Sequence, residues 1–430
     1  MIDLNKQNGD FAVFLPAMSP EYIRTASNPY AKRPGFNTDI FNFFDPAGAF
    51  YYPWALYSAG MPGSWNINVA RDSMIYGRDR TKSKIVTDSA GFQIISGGVF
   101  NWANRRDFED KSKKILDWQI ATGDIGVIID IPLYSIADPK QPNFNSFKAC
   151  LDQTVDNIKF FQNNGMGDHP FMNAIHGRTP AECNRWYNAV KKYPLKGWAF
   201  GGEIKENMYL FLRMLLKLRD DHELDPGQDW VHVFAIERPK RAIAYSAIKR
   251  ELNKSNPELE LTFDAAGYAT LAVRTRQMFM SYNPFGNDKL NIVKAPYKKS
   301  THPLSTVNVF GKKIKVGQIK KFVSDCGEYF EDTYSPILSG QDSDDVVVPW
   351  ATSKAGWDSV SNSLIVAHNL YVKIDAIQGA NWRWKRFGHF SSEPHENHDI
   401  ARLNHIIEEV FNSQKAMNCL GRNRAFLEAY

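Results

Sequence analysis

Seven apolar runs of strand length recur up to residue 265, at 12–18, 85–88, 125–131, 171–176, 198–202, 231–236 and 261–265. Amphipathic, helix-like patterns lie among them at 106–121, 147–162, 180–192, 206–218 and 239–252. Strands alternating with helices predict βα units, because a parallel neighbour can be reached only by a crossover long enough to hold a helix. At least seven such strands in succession favour α/β architecture in its closed form, a (β/α)8 TIM barrel, over an open sheet. No run is followed by Gly-x-Gly-x-x-Gly, and Gly-x-x-x-x-Gly-Lys-(Ser/Thr) is absent, so the Rossmann and P-loop readings are weaker.

A chain of 430 residues can hold one large barrel with insertions, or two to three average domains. At 43% hydrophobic residues it can bury a sizeable core. The opening Met1-Ile2-Asp3-Leu4-Asn5-Lys6 has no apolar stretch of the secretory type. No uncharged apolar run approaches the ~20 residues of a membrane span. Cys150, Cys183, Cys326 and Cys419 are scattered without Cys-x-x-Cys spacing, which predicts reduced thiols in a cytoplasmic protein.

After residue 265 the character of the chain changes. Residues 281–360 are rich in Gly, Pro, Asn, Ser and Lys, and 307–316 has the pattern of a β-hairpin. Helical patterns return at 360–375 and 400–411. The organisation expected is therefore a barrel and catalytic face over 1–280, a small β-rich subdomain, inserted or appended, over 281–360, and closing helices over 361–430. Net charge is only +5, too mild to indicate nucleic acid alone, but its distribution is uneven. From Lys289 to Ser324 there are nine lysines and no Asp or Glu, with Arg274 and Arg276 just upstream. Such a run is either solvated surface or a phosphate track; on the second reading Arg274, Arg276, Lys298, Lys299, Lys312, Lys313 and Lys315 are the candidate contacts. Trp382-Arg383-Trp384-Lys385-Arg386-Phe387 interleaves aromatics with cations, as a core pair or a stacking platform would.

The polar residues that carry chemistry fall at strand ends. Asp88 opens Asp88-Ser89-Ala90-Gly91-Phe92-Gln93 after a β-branched run; Asp130 follows Val127-Ile128-Ile129; His176-Gly177 follows Met172-Asn173-Ala174-Ile175. Gly201-Gly202-Glu203 ends 198–200, Phe234 lies in 231–236, and Asp264 follows Leu261-Thr262-Phe263. A single aspartate after a strand commonly caps the next helix. Three at the C-terminal ends of barrel strands converge instead on the face where barrel active sites lie.

These blocks resemble the tRNA-guanine transglycosylase superfamily. Asp88–Gln93 is similar to its Asp-Ser-Gly-Gly-(Phe/Tyr)-Gln, with Ala90 in place of the first glycine. Ile128-Ile129-Asp130-Ile131-Pro132-Leu133-Tyr134 resembles Phe-Asp-Glu-Cys-x-Pro-Tyr, and Ala174-Ile175-His176-Gly177 resembles Ile-Val-Gln-Gly, with histidine for glutamine. Gly197-Trp198-Ala199-Phe200-Gly201-Gly202, Val233-Phe234-Ala235-Ile236, Leu261-Thr262-Phe263-Asp264 and Ile365-Val366-Ala367-His368-Asn369-Leu370-Tyr371 resemble further family blocks in the family's order.

The resemblance implies that Asp264 is the nucleophile on the anomeric carbon and Asp88 the acid/base. It implies that Asp130 accepts the purine N–H groups, that Gly202, with His176, Gln93 and the adjoining Gly201, holds the base carbonyl, and that Phe92 and Phe234 sandwich a flipped base. The family's structural zinc is implied to be lost, because Ser324-Asp325-Cys326-Gly327-Glu328-Tyr329 and His368 leave only Cys326 and His368 of its ligands. His395, Glu396, His398 and His405 could in principle bind metal instead, but a solvated loop before a helix starting near Ile400 is the better reading, since no known metal-site spacing matches them. With the zinc ligands gone and glutamine changed to histidine, the chain is most like the DpdA-like DNA-guanine transglycosylases of phages and bacteria. The expectation is exchange of guanine for a 7-deazaguanine base in DNA, with no cofactor and no membrane partner, and with homodimerisation left open. A tRNA-guanine transglycosylase is the alternative; a non-catalytic nucleic-acid-binding subunit or an unrelated glycoside hydrolase explains fewer of these residues.

Overall fold

The computed structural model describes residues 2–4, 8–27, 37–60, 65–89, 91, 104–139, 141–274, 278–279, 294–295, 313–315, 336–340, 347–349, 359–390 and 394–430. Eight parallel strands make one sheet: β1 (Val13–Pro16), β2 (Trp54–Ser58), β3 (Lys84–Asp88), β4 (Ile125–Val127), β5 (Phe171–Ile175), β6 (Gly197–Phe200), β7 (Trp230–Val233) and β8 (Glu260–Ala265). From β2 onward each strand pairs with its successor in the chain, and β8 returns to pair with β1, Asp264 opposite Leu15. A parallel bridge between Ala17 and Leu56, with the Met18 N–H donating to the Leu56 carbonyl at 2.9 Å, joins β1 to β2. The sheet thus curls into the expected (β/α)8 barrel.

All seven expected strands are present, mostly trimmed by one to four residues. The run at 125–131 keeps its ladder only to Val127, and Ile128, Ile129, Asp130 and Ile131 continue as buried backbone outside it. The eighth strand, β2, has no counterpart in the sequence reading. It follows Pro53, and the described helix between it and β3 is only the four-residue Ser73–Tyr76, so the alternation that marks the other units is absent there.

The outer layer comprises α1 (Pro20–Ser27), α2 (Arg105–Thr122), α3 (Phe147–Asn163), α4 (Pro180–Val190), α5 (Met208–Asp220), α6 (Pro239–Asn253) and α7 (Gly267–Arg274). Four of their starts are set by side-chain caps. Asn104 accepts from the Asp107 N–H, Ser146 from Ala149, Thr179 from Glu182 ahead of Pro180, and Asn207 from Leu210. The cap at Asn207 is also why α5 begins at Met208 and not at 206.

Two expectations for the C-terminal part are corrected. The helix expected at 360–375 is α8 (Ser359–Phe387), which packs against α1, α6 and α7 and continues because Ala376, Ile377, Ala380 and Asn381 remain buried. It ends at Gly388, whose φ of +68° suits the left-handed position after a helix. The next helix, α9 (Pro394–Asn412), starts at a proline, which lacks the N–H that a first-turn residue leaves unpaired. His395, Glu396 and His398 therefore lie on a helix and not in a loop, with Glu396 buried.

The interleaved segment 382–387 is the last part of α8, and Lys385 pairs with Asp10 just ahead of β1. This puts it at the N-terminal end of the strands. Arg386 lies 5.3 Å from the exposed Trp382 ring, while Arg383 turns inward. No helix among the described residues is long and apolar enough to cross a membrane.

Candidate active site

Alternation along β8 decides what the barrel interior contains. The Phe263 ring packs 5.7 Å from Phe14 and 5.5 Å from Tyr245 of α6, so it belongs to the layer between sheet and helices. Thr262 and Asp264, one residue to either side, face the other way, into the barrel. A cavity of about 770 Å³ opens at the C-terminal ends of the strands, and Ser58, Asp88, Asp130, His176, Phe234 and Asp264 line it together with Gly201 and Gly202. The structure thus brings the three expected carboxylates to one space from β3, β8 and the segment after β4.

Each carboxylate is held differently. Asp88, partly buried at the end of β3, accepts the Ser58 hydroxyl at 2.9 Å from the neighbouring β2. Asp130 is 5% exposed, and its Oδ2 lies 2.6 Å from His176 Nε2, leaving Oδ1 without a hydrogen bond among the described residues. Asp264 is 8% exposed; its Oδ1 accepts the Ala235 N–H at 2.7 Å, and Oδ2 has no hydrogen bond among the described residues. A carboxylate with one oxygen anchored and one free is set up to attack, or to accept a proton, along one direction.

The backbone around these groups explains several small residues. A Cβ on Gly91 would sit 2.6 Å from the Asp130 carbonyl oxygen, so the turn after β3 can approach Asp130 only with glycine there. At Gly201 a Cβ would meet His176 Cε1 at 2.6 Å. Gly202 has φ +60° and ψ −138°, a conformation that residues with a Cβ rarely adopt. Ala235 has φ +51°, also in the left-handed region, and it is this turn that aims its N–H at Asp264.

His176 is fixed from a second side by Trp186, whose ring lies edge-on at 4.9 Å and whose Nε1 donates to the Ala174 carbonyl at 2.8 Å. Its buried Nδ1 has no hydrogen-bond partner among the described residues. Phe234 lies over His232, ring centroids 4.8 Å apart, and presents an apolar wall to the cavity. Tyr134 is 41% exposed at the rim, and burial, reinforced by Asp130 and Asp138, pushes its phenol well above the usual value.

Phe92, Gln93, Arg276, Lys298, Lys299, Lys312 and Cys326 lie outside the described residues. Arg274 ends α7. Lys313 and Lys315 belong to the strand Lys313–Lys315, whose antiparallel partner is Val347–Pro349; the hairpin expected within 307–316 is otherwise outside the described residues. His368 is fully buried on α8. Cys150, Cys183 and Cys419 are free and buried.

Two residues of the site escaped the sequence reading. Ser58 ends the strand that was missed, although its run Trp54-Ala55-Leu56-Tyr57-Ser58 has the same apolar-then-polar form as the others. His232 lies beneath the floor of the cavity with no exposure, its Nε2 3.3 Å from Asp264 Oδ1. The signal was an imidazole inside an otherwise apolar strand, two residues before Phe234. No protein-family model and no curated protein matches the chain.

Proposed function

We propose that this protein is a base-exchange pentosyltransferase that replaces guanine with a 7-deazaguanine in DNA. The observation that carries the proposal is Asp264, with Oδ1 anchored and Oδ2 free in the same cavity as Asp88 and the Asp130–His176 pair. In this reading Oδ2 bonds C1′ of the target nucleotide while the C1′–N9 bond breaks and its electron pair leaves with the base. Asp88 in its acid form gives that base a proton. The incoming 7-deazaguanine then returns a proton to Asp88, attacks C1′ and releases Asp264 as carboxylate, so the cycle needs no oxidant and no metal ion.

Asp130 would accept the ring and exocyclic N–H groups of the guanine edge, while Gly202 and His176 take its carbonyl side. Phe234 supplies one face of the sandwich and Phe92 the other. A base gripped on its Watson–Crick edge has to leave the stack first. The unopposed lysines of 289–324 would hold the polymer by its phosphates. The structural zinc of the family that the chain resembles would have too few ligands here. Of its ligand positions only Cys326 and His368 carry ligating side chains, and His368 is fully buried in α8.

The test is transfer of labelled guanine or 7-cyano-7-deazaguanine into duplex DNA, into melted DNA and into tRNA, with Asp264→Asn alongside. Label is expected in DNA, and none with Asp264→Asn. Label in tRNA but not DNA would move the substrate to tRNA and leave the chemistry standing. Label in neither polymer would remove the transglycosylase reading altogether.

A further inference from the structure

We infer that His232 is the positioning residue of Asp264: it delivers an Nε2–H to the anchored oxygen and so fixes the direction in which the other oxygen faces the substrate. The inference rests on the reading of Asp264 as nucleophile. His232 stands directly across from Thr262 in the β7–β8 pairing, and both point into the barrel one layer below Asp264 and Phe234. The ring is completely buried. Nδ1 lies 2.9 Å from Thr262 Oγ1. Nε2 lies 3.3 Å from Asp264 Oδ1, within reach but out of line for a hydrogen bond, and has no hydrogen bond among the described residues; such contacts at catalytic groups tighten when substrate binds.

The proton positions follow from what each neighbour can offer. Thr262 Oγ1 has one proton and two acceptors in reach, His232 Nδ1 at 2.9 Å and the Val231 carbonyl at 3.3 Å. If Nδ1–H were the only ring proton, the Nε2 lone pair would face an ionised carboxylate, and two buried acceptors would oppose each other at high cost. The arrangements compatible with a charged Asp264 therefore both place a proton on Nε2. In the neutral ring Thr262 donates to Nδ1. In the imidazolium Nδ1–H donates to Thr262, which turns its own proton to Val231. Thr262 serves both without moving a heavy atom.

What this does for Asp264 is geometric. Ala235 N–H approaches Oδ1 from the β7 turn, and His232 approaches the same atom from the layer below. Once the His232 contact closes into a hydrogen bond, two donors from different directions on one oxygen fix the plane of the carboxyl group, which leaves Oδ2 a single direction into the cavity. Misplacing a reacting atom by ~1 Å can cost on the order of 10²-fold in rate. The ring also supports Phe234 at 4.8 Å, so a smaller residue at 232 would loosen the base wall as well. The two effects have to be separated in the test.

Three variants and one spectroscopic measurement do so. His232→Gln can place a carboxamide N–H where Nε2 was; His232→Asn can reach Thr262 but not Asp264; His232→Leu fills the volume with no donor. In the exchange assay His232→Gln is expected to keep kcat within about tenfold, while His232→Asn and His232→Leu lose on the order of 10²-fold in kcat with little change in KM. A purely packing role predicts the reverse, with leucine tolerated best, and would overturn the inference. The imidazole 15N resonances of the substrate-free protein test the pair without any turnover. The His232 signal, identified by its loss in His232→Gln, should shift in Asp264→Asn, and an unmoved signal also overturns the pairing. Coupled resonances in a wild-type protein that exchanges no base would instead sink the transglycosylase reading and leave the pair standing.

Discussion

Strand β8 carries a carboxylate at each end, and the two are treated differently. Glu260, where the strand begins, pairs with the buried Lys249 at 2.7 Å, and Lys249 also donates to the Phe11 carbonyl at 3.2 Å. Asp264, four positions on, gives one oxygen to Ala235 N–H, with His232 Nε2 3.3 Å from the same atom, and leaves the other to the cavity. The same contrast holds around the barrel. At the N-terminal end Arg78 meets Asp124 at 2.7 Å, and Asp124 accepts the Ile85 N–H at 2.7 Å as well. At the C-terminal end His176 Nδ1, which is buried, has no hydrogen-bond partner among the described residues. Arg78 Nε and His169 Nε2 at the first end are also buried without a hydrogen bond among the described residues, so the second end is set apart because Asp130, His176 and Asp264 line the cavity of about 770 Å³. Unused capacity at buried groups is tolerated where a ligand completes it, which is why the cavity end is read as the working end.

The largest effects should come from breaking the two ends of β8 separately. Asp264→Asn retains the shape and the Ala235 hydrogen bond, so it should melt within a degree or two of the parent, yet lose base exchange by ~10³-fold or more. Lys249→Met should do the opposite. It strands Glu260, whose carboxyl burial already raises above its usual range against the pull of Lys249. Because Glu260 keeps partial access to water, the loss should be about 1–3 kcal/mol in denaturant unfolding, with kcat per folded molecule unchanged. A Lys249→Met protein that kept its stability but lost turnover would erase the distinction between the two ends.

How much of this was legible beforehand varies along the chain for physical reasons. Seven strands could be read because parallel strands buried on both faces form continuous apolar runs, and Asp88, Asp130, His176, Phe234 and Asp264 stood where those runs end. β2 was invisible because its crossover lacks a long helix, and Ser58 was lost with it. His232 could be seen as a residue but not as a partner, since its pairing depends on register with Thr262 and not on spacing in its own strand. The segment 382–387 reads equally as a core pair or a stacking platform, and its position beside Asp10 is fixed by the path of α8, which no local pattern reveals. Helix starts were readable where Ser, Thr or Asn caps them, and α8 outran its expected end because burial against α6 overrode Gly379.

A smaller effect should separate the ends by pH. His169, in the loop that leads into β5, packs edge-on at 5.1 Å from Phe171, and burial lowers its ring to about 4. An unfolded histidine titrates near ~6.5. As pH falls through that value the unfolded chain takes up the proton first. Stability contributed by the neutral buried ring is thus full above about 6.5, declines between about 6.5 and 4, and levels off below. After discounting for partial exposure, the change should be about 1–2 kcal/mol across the window. His169→Phe should flatten the unfolding free energy between pH 6.5 and 4 and leave base exchange at neutral pH untouched. An undiminished slope in that variant would assign the acid sensitivity to groups at the cavity end.

The smallest effect concerns backbone strain, which the cavity end also carries. Ala235 holds φ at +51° so that its N–H can reach Asp264 Oδ1. The left-handed region costs a residue with a Cβ roughly 1–2 kcal/mol. Glycine occupies it freely but loses more chain entropy on folding, about 0.5–1 kcal/mol. The two terms oppose, and strain is the larger at a positive φ, so Ala235→Gly should stabilise the protein by about 0.5–1 kcal/mol. Because the N–H stays in place, kcat should remain within about twofold. Ala235→Val carries a branched side chain that tolerates the left-handed region worse still, so it should swing the turn away, withdraw a donor from Asp264 and lower kcat with a smaller change in KM. If Ala235→Gly cost activity while raising stability, the strained turn would be part of the working end in its own right, and not only the means of aiming one hydrogen bond.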